Sequence, residues 1–221
     1  MRSTRPIANI RRSFDLMEQL GFDLGAEPLP KVEPAFASAQ AFAATLNTWI
    51  GSQKGAAKLF AHPIETPFGT MVAVCDAAHL HLLEFADRKE LPQELKKLSA
   101  AAGTIKSGQT QITRALDDQL SAYFGGALTQ FDIPLALHGT DFTKDVWRAL
   151  QGLRYGATTS YGDLAATLGN PNATRAVARA NGANQIAILI PCHRVIGADG
   201  TLTGYAGGLW RKRALLELET N

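Results

Sequence analysis

The sequence predicts a mixed chain, with an α/β region followed by a mainly helical region that carries a Cys-His pair. Two apolar runs separated by a short turn between residues 64 and 85 indicate a β-hairpin. Helical periodicity follows at residues 92–102 and 112–124. After residue 140 short helices recur, and one connecting segment holds Cys192 and His193.

The predicted hairpin pairs residues 71–75 with residues 80–85. Asp76-Ala77-Ala78 supplies the turn between them. Cys75 lies on the strand pattern with no histidine beside it, so we expect it in the core. The residues that precede this region, 1–60, are predicted to form a helical extension.

Two short helices with a turn between them are predicted ahead of the Cys-His pair. The first helix covers residues 161–168, and Gly169-Asn170-Pro171 forms the turn. The second covers residues 173–182, with Asn172 or Thr174 as its N-cap. Because this second helix is rich in alanine and glycine, it is able to approach another macromolecule closely.

Cys192 stands where a reactive thiol could be built. The apolar run at residues 186–190 predicts a buried strand that stops at Pro191, directly before the cysteine. A cysteine reacts as the thiolate, so a base or cation has to lower its pKa from about 8.5. His193 and Arg194 are the adjacent candidates. Taken alone, however, such a pair is more often a buried pair without chemistry.

Further motifs resemble the O6-alkylguanine-DNA alkyltransferases, also called methylated-DNA–protein-cysteine methyltransferases. PCHRV looks like the active-site signature of that family, and the match runs from about residue 140 to residue 219. The matching segments are Thr159-Ser160-Tyr161, Gly169-Asn170-Pro171, Arg175-Ala176-Val177, Ala183-Asn184, PCHRVIG, Gly204-Tyr205-Ala206-Gly207-Gly208 and residues 212–219.

The resemblance implies an RNase-H-like α/β N-terminal domain at residues 61–137. A winged-helix/helix-turn-helix C-terminal domain at residues 138–221 would follow it and carry the active-site cysteine. Part of the extension, residues 36–51, resembles the second helix-turn-helix of AraC-type regulators, so a remnant of such a unit is one interpretation. The four-cysteine zinc domain of Ada-type repair regulators is absent, because the sequence has only two cysteines.

The resemblance also implies a role for each residue of a catalytic relay. Cys192 would be the nucleophile that takes the alkyl group, and His193 would be its base through a bound water. Glu219, at the end of the last helical stretch, would orient and polarise the histidine. Asn184 would brace the active-site turn, and Tyr161 would help to protonate the departing guanine.

A second set of residues would bind DNA and hold the target base. In this family the second helix, with Arg175, Ala178 and Arg179, enters the minor groove, and Arg175 fills the gap left by the flipped base. The glycine-rich loop around Tyr205 would wall the base pocket, with the amide of Ala206 donating to O6.

The base pocket would also use backbone acceptors beside the cysteine. The resemblance implies that the carbonyl groups of Cys192 and Val195 accept hydrogen bonds from the exocyclic amine of the guanine.

The implied reaction is a single-turnover transfer from O6-alkylguanine in double-stranded DNA, with O4-alkylthymine as a further candidate substrate. No cofactor or metal is expected, because the alkylated DNA brings its own electrophile. We expect a cytoplasmic monomer: no apolar run would span a bilayer, and two cysteines without a framework pattern fit a reducing compartment. Residues 138–221 hold nine Lys or Arg against six Asp or Glu, a small basic surplus that suggests few phosphate contacts.

Other interpretations remain open from the residues. Taken singly, Arg175 and Arg179 fit a solvated helix face, Tyr161 a core aromatic residue, and Asn184 a helix C-cap. At the level of function, the alternatives are an Ada-like transcriptional regulator and a damage-sensing DNA-binding protein, and the presence of Cys192 argues against the second. A cysteine hydrolase is disfavoured because the cleft's family role leaves no oxyanion donors for acyl transfer.

Overall fold

The structure, a computed structural model, describes residue 30 and residues 32–220, and it is a mixed α/β chain. The helices α1 to α7 are Ala39–Ile50, Leu91–Ala102, Gln111–Phe124, Asp141–Gln151, Tyr161–Thr167, Thr174–Gly182 and Leu209–Thr220. The strands β1 to β6 are Leu59–Ile64, Met71–Cys75, Leu80–Phe85, Ile105–Ser107, Thr159–Ser160 and Val195–Ile196. No helix among these residues is long and apolar enough to cross a membrane.

A four-stranded sheet in the order β3-β2-β1-β4 forms the first half of the described chain. β2 pairs with both β1 and β3 in antiparallel register, which confirms the predicted hairpin. β4 joins β1 in parallel. β1 begins at Leu59, two residues before the predicted domain boundary at residue 61.

β2 is buried on both faces of the sheet and separates two hydrophobic cores. Met71, Ala73 and Cys75 belong to one core, whereas Val72 and Val74 belong to the other, as the two-residue period of a strand requires. The expected core position of Cys75 is therefore confirmed.

The smaller core lies under α1, the only part of the predicted helical extension that the structure describes as a helix. Ser38 caps this helix by accepting a hydrogen bond from the amide of Ala41. Phe42 and Leu46 are buried against the sheet. Much of the extension, residues 1–29 and residue 31, lies outside the described residues, and with it any first helix of an AraC-type unit.

β3 is the strand that connects the sheet to the second half of the chain. The amide of Leu83 donates to the carbonyl of Gln185 at 2.8 Å, and the amide of Ala187 donates back to the carbonyl of Leu83 at 2.8 Å. On the same strand, the amide of Leu80 donates to the carbonyl of Pro134 at 2.8 Å. The turn that precedes Cys192 is therefore held by the backbone of β3.

The apolar run at residues 186–190 does not form the predicted strand. Ile186 makes only an isolated bridge to Leu83, and the chain then turns, with Ile188 at a φ of 72°. A β-branched residue in this left-handed region is an outlier that costs roughly 1–3 kcal/mol, so the surrounding contacts have to enforce it. The apolar character of the run reflects burial, which strands and buried turns share.

The predicted pair of short helices is present as α5 and α6, but its predicted cap was wrong. A 3₁₀ turn, Pro171–Ala173, precedes α6, and Ala173 occupies the N-cap position without a side-chain hydrogen bond. The hydroxyl of Thr174 instead donates to the carbonyl of Pro171 at 3.3 Å. The indole Nε1 of Trp147 in α4 donates to the carbonyl of Ala180 at 2.9 Å and ties α6 to the core.

Two glycines with the same backbone geometry provide a test of how α7 is seated. Gly156 has a φ of 73° and Gly169 a φ of 75°, so alanine at either is strained by roughly 1–2 kcal/mol. An added Cβ at Gly156 would stand 2.6 Å from the carbonyl oxygen of Glu219, whereas at Gly169 nothing lies within 4 Å. We expect Gly156→Ala to lower the free energy of unfolding by about 1–3 kcal/mol more than Gly169→Ala, as measured by urea denaturation. Equal losses of unfolding free energy would show that the Cβ added at residue 156 does not clash with the carbonyl of Glu219 in α7.

Candidate active site

The turn before Cys192 is built around the side chain of Asn184. Its Nδ2 donates to the carbonyl of Ile190 at 2.8 Å and to the sulfur of Cys192 at 3.1 Å. Its Oδ1 accepts a hydrogen bond from the amide of Ile186 at 3.0 Å. Because these bonds close the turn from inside, they enforce the left-handed Ile188 and fix the position of the sulfur.

The thiol of Cys192 is buried, with 7% of the residue exposed. Burial raises its pKa to about 11, although the hydrogen bond from Asn184 and the charges of Lys212 and Arg88 oppose the rise. Arg194, one of the two candidates for lowering this pKa, binds the carboxylate of Glu219 instead. The thiol is therefore protonated at neutral pH and needs a proton acceptor when it reacts.

His193 is fully buried and is oriented by Glu219. The histidine Nε2 lies 2.9 Å from Oε1 of Glu219. Burial lowers the pKa of His193, and the hydrogen bond and charge of Glu219 only partly offset this, so the ring is neutral at neutral pH. With Nε2 donating to the carboxylate, Nδ1 carries the lone pair, and it has no partner among the described residues. The structure thus presents a neutral base with a free accepting nitrogen.

Glu219 gathers several donors besides the histidine. Arg194 binds both of its oxygens, with Nε at 2.8 Å from Oε2 and Nη2 at 2.9 Å from Oε1. The hydroxyl of Tyr123 donates at 2.7 Å, and the amide of Gly156 donates at 3.3 Å. Burial raises the pKa of this carboxyl, but the bonds to His193 and Arg194 outweigh it and hold the pKa at about 2. The residue is therefore ionised throughout the physiological range.

A cavity that is partly open to solvent is lined by Cys192, and the empty space in it and at its mouth is about 290 Å³. It contains four of the predicted site residues, namely Cys192, Asn184, Tyr205 and Ala206. The remaining lining residues are Glu84, Asn181, Gly182, Ala187, Gly204 and Gly207. Sequence reasoning missed Glu84 and Asn181, which come from β3 and from the end of α6.

Val195 is buried and does not line this cavity. Its carbonyl accepts a hydrogen bond from Nζ of Lys212 at 2.6 Å, and the carbonyl of Cys192 accepts one from Nδ2 of Asn181 at 3.4 Å. Both carbonyl groups were predicted to receive the amine of the guanine. The carbonyl of Cys192 also accepts a hydrogen bond from the amide of Val195, so both of its lone pairs are engaged in this structure, and receiving the amine would require it to release one of these donors.

The predicted DNA-contacting residues lie outside the cavity. Arg175 and Arg179 are exposed on α6, and Ala178 between them is half-buried. Tyr161 is half-buried at the start of α5, and a Cβ added at Gly204 would stand 3.9 Å from its hydroxyl. Tyr161 is therefore next to the cavity wall at Gly204.

Among the described residues, no three His, Cys, Asp or Glu side chains are arranged to hold a metal ion.

Known proteins are similar to this chain over most of its described length. A family model described as the DNA-binding domain of 6-O-methylguanine DNA methyltransferase matches residues 141–221. The methylated-DNA–protein-cysteine methyltransferase of Mycobacterium tuberculosis H37Rv is 64% identical over 102 residues, which are 46% of this chain and 62% of that protein. Its counterpart in Mycolicibacterium paratuberculosis is 51% identical over 141 residues, 62% of this chain and 86% of that protein.

A solved structure is similar as well. The crystal structure of Mycobacterium tuberculosis OGT in complex with DNA aligns with a TM-score of 0.63 and 45% identity, covering 73% of this chain and 92% of that one. From these matches, the chain belongs to the methylated-DNA–protein-cysteine methyltransferase family.

Proposed function

We propose that this chain is a direct-reversal DNA repair protein that transfers the alkyl group of O6-alkylguanine in DNA to Cys192. The observation that carries the proposal is a buried thiol in a cavity beside a neutral histidine whose free nitrogen is set by Glu219. O4-alkylthymine is a second substrate that the same chemistry would accept.

In the proposed reaction the proton of the Cys192 thiol passes to Nδ1 of His193 through a water. The thiolate attacks the alkyl carbon, the bond from that carbon to O6 breaks, and its electron pair stays on the base. Tyr161, near the cavity wall, helps to protonate the base as it leaves, so that it departs as neutral guanine. Glu219 stabilises the imidazolium that forms.

The product is a thioether on Cys192, which has no good leaving group. The site contains nothing that would regenerate the thiol, so each chain acts once. The alkylated DNA supplies the electrophile, and the reaction draws on no cofactor. Because the reaction consumes a reduced thiol, it suits the cytoplasm. Since every residue of the proposed site belongs to one chain, a monomer is sufficient for the reaction.

We assign the DNA contacts to α6. Its exposed Arg175 and Arg179 are four positions apart and lie on one side of a helix with small neighbours such as Ala178. In this proposal the helix enters the minor groove, and Arg175 occupies the space of the flipped nucleotide.

The proposed domain division follows the same logic. Residues 61–137, which contain all but the first two residues of the four-stranded sheet, correspond to the RNase-H-like domain, and residues 138–221 to the winged-helix/helix-turn-helix domain. The short parallel pair of β5 and β6 supports the second assignment, because it lies beside the helix pair α5 and α6.

Incubation with a duplex that contains one O6-methylguanine tests the reaction. We expect the intact protein to gain one methyl group, saturating at one per chain, with peptide mapping that places it on Cys192. Cys192→Ser should gain none. Cys75→Ala is the matched control and should react like the wild type, since burial raises the pKa of Cys75 to about 12. Binding without any mass change would instead indicate a damage-sensing protein.

The role of Arg175 is tested by comparing duplex substrate with the free base O6-benzylguanine. Arg175→Ala should slow transfer from the duplex about tenfold or more, because unstacking a base costs a few kcal/mol, while the free base needs no extrusion. Arg114→Ala, at an exposed site on α3, should change neither rate. An equal loss on duplex and free base would remove the proposed role.

A further inference from the structure

A buried carboxyl group lines the cavity that contains Cys192. Glu84, on β3, lines the cavity with only 3% of the residue exposed. It forms an ion pair with Nη1 of Arg88, whose Nη2 also lies 2.9 Å from Oε1 of Glu94. The guanidinium therefore keeps a second acidic partner, and Glu84 is the member of this cluster that reaches the cavity.

Two further polar groups at the cavity have no partner among the described residues. Asn181 is 3% exposed, and because its Nδ2 donates to the carbonyl of Cys192, the group left over is its Oδ1 acceptor. The hydroxyl of Tyr205 is also buried and unpaired. Buried polar groups are normally hydrogen-bonded, so this end of the cavity is suited to a polar occupant.

The polar groups are close to the reacting sulfur. Glu84, Asn181 and Tyr205 line the same cavity as Cys192. Burial raises the pKa of Glu84 to about 8, although the charge of Arg88 opposes the rise, so its carboxyl group is ionised mainly above that pH. An alkyl group on the sulfur that enters this cavity therefore meets the carboxyl group of Glu84 and the amide of Asn181 among its walls.

We propose that Glu84, Asn181 and Tyr205 form an alkyl-group subsite that favours short alkyl groups ending in a hydrogen-bond donor, such as 2-hydroxyethyl, over apolar groups of the same length. This inference rests on the proposed transfer to Cys192. A terminal hydroxyl donates a hydrogen bond to the carboxylate or to the amide oxygen. A terminal methyl group displaces water from these acceptors and leaves them without a hydrogen bond. A site that is built to bond a hydroxyl discriminates strongly against the analogue that lacks one.

The proposed step balances without a further reactant. The sulfur of Cys192 forms a bond to the first carbon of the hydroxyethyl group as the bond from that carbon to O6 breaks. The electron pair remains on the guanine, which gains one proton, and the thiol loses one to His193. The product is S-(2-hydroxyethyl)cysteine, with its hydroxyl directed toward Glu84.

The test compares free O6-(2-hydroxyethyl)guanine with free O6-propylguanine, whose alkyl groups have the same number of heavy atoms. The measured quantity is the rate of transfer from O6-(2-hydroxyethyl)guanine divided by the rate from O6-propylguanine. Each rate is obtained from the mass of the intact protein over time. Comparing this ratio between variants cancels the intrinsic reactivity of the two bases.

Because burial raises the pKa of Glu84 to about 8, the ratio is measured at about pH 9, where the group is ionised. Glu84→Met should then lower the ratio about tenfold, since it removes a hydrogen bond to a charged group. Glu84→Gln, which keeps the shape and one acceptor, should lower it about threefold. Glu94→Gln is the matched control, because it removes a charge from the same arginine without touching the cavity, and it should leave the ratio unchanged.

A ratio that stays at the wild-type value in Glu84→Gln and Glu84→Met overturns the subsite, provided that each variant melts cooperatively. A ratio that falls equally in Glu94→Gln overturns it as well, because the effect would then belong to the cluster as a whole. Transfer of methyl from O6-methylguanine by the wild type is measured in parallel; its absence would refute the proposed function, whereas its presence with an unchanged ratio would refute only the subsite.

Discussion

The carboxylate of Glu219 is the interaction on which the site depends. It is ionised and buried near the end of the last helix, yet its hydrogen bonds reach His193 and Arg194 just after the cysteine, and Tyr123 in α3. Losing one partner of a buried ion pair costs about 3–5 kcal/mol, because the other charge is left unpaired. The base is therefore oriented only when elements from both halves of the chain have come together.

Burial gives the site two linked properties. It keeps the Cys192 thiol protonated, and a buried, protonated thiol is a poor target for oxidants in solution. The same burial lowers the pKa of His193 and keeps it free to accept a proton. In the proposed single-turnover reaction this combination is an advantage, since the thiol is preserved until a substrate brings an electrophile into the cavity.

Local patterns predicted the elements of the fold, and the family motif predicted the reacting groups. The hairpin, the helices before residue 125 and the pair α5 and α6 follow from periodicity and turn residues, which act within a few positions. The turn at residues 186–190 does not, because the side chain of Asn184 and the backbone of β3 shape it. Glu84 was not predicted as a cavity residue for the same reason. It lies in an ordinary strand pattern, and only the packing of the two halves of the chain brings it near the cysteine.

The protonation of His193 tests the account most directly, and ¹⁵N NMR of the labelled histidine between pH 5 and pH 9 measures it. Since burial lowers the pKa of His193 below its usual 6.5, we predict a ring that is mostly neutral at neutral pH and still more than half neutral at pH 6.5. It also predicts the proton on Nε2, facing Glu219, and a bare Nδ1. A ring that is cationic at pH 7, or one with its proton on Nδ1, would contradict the claim that His193 is the base for Cys192.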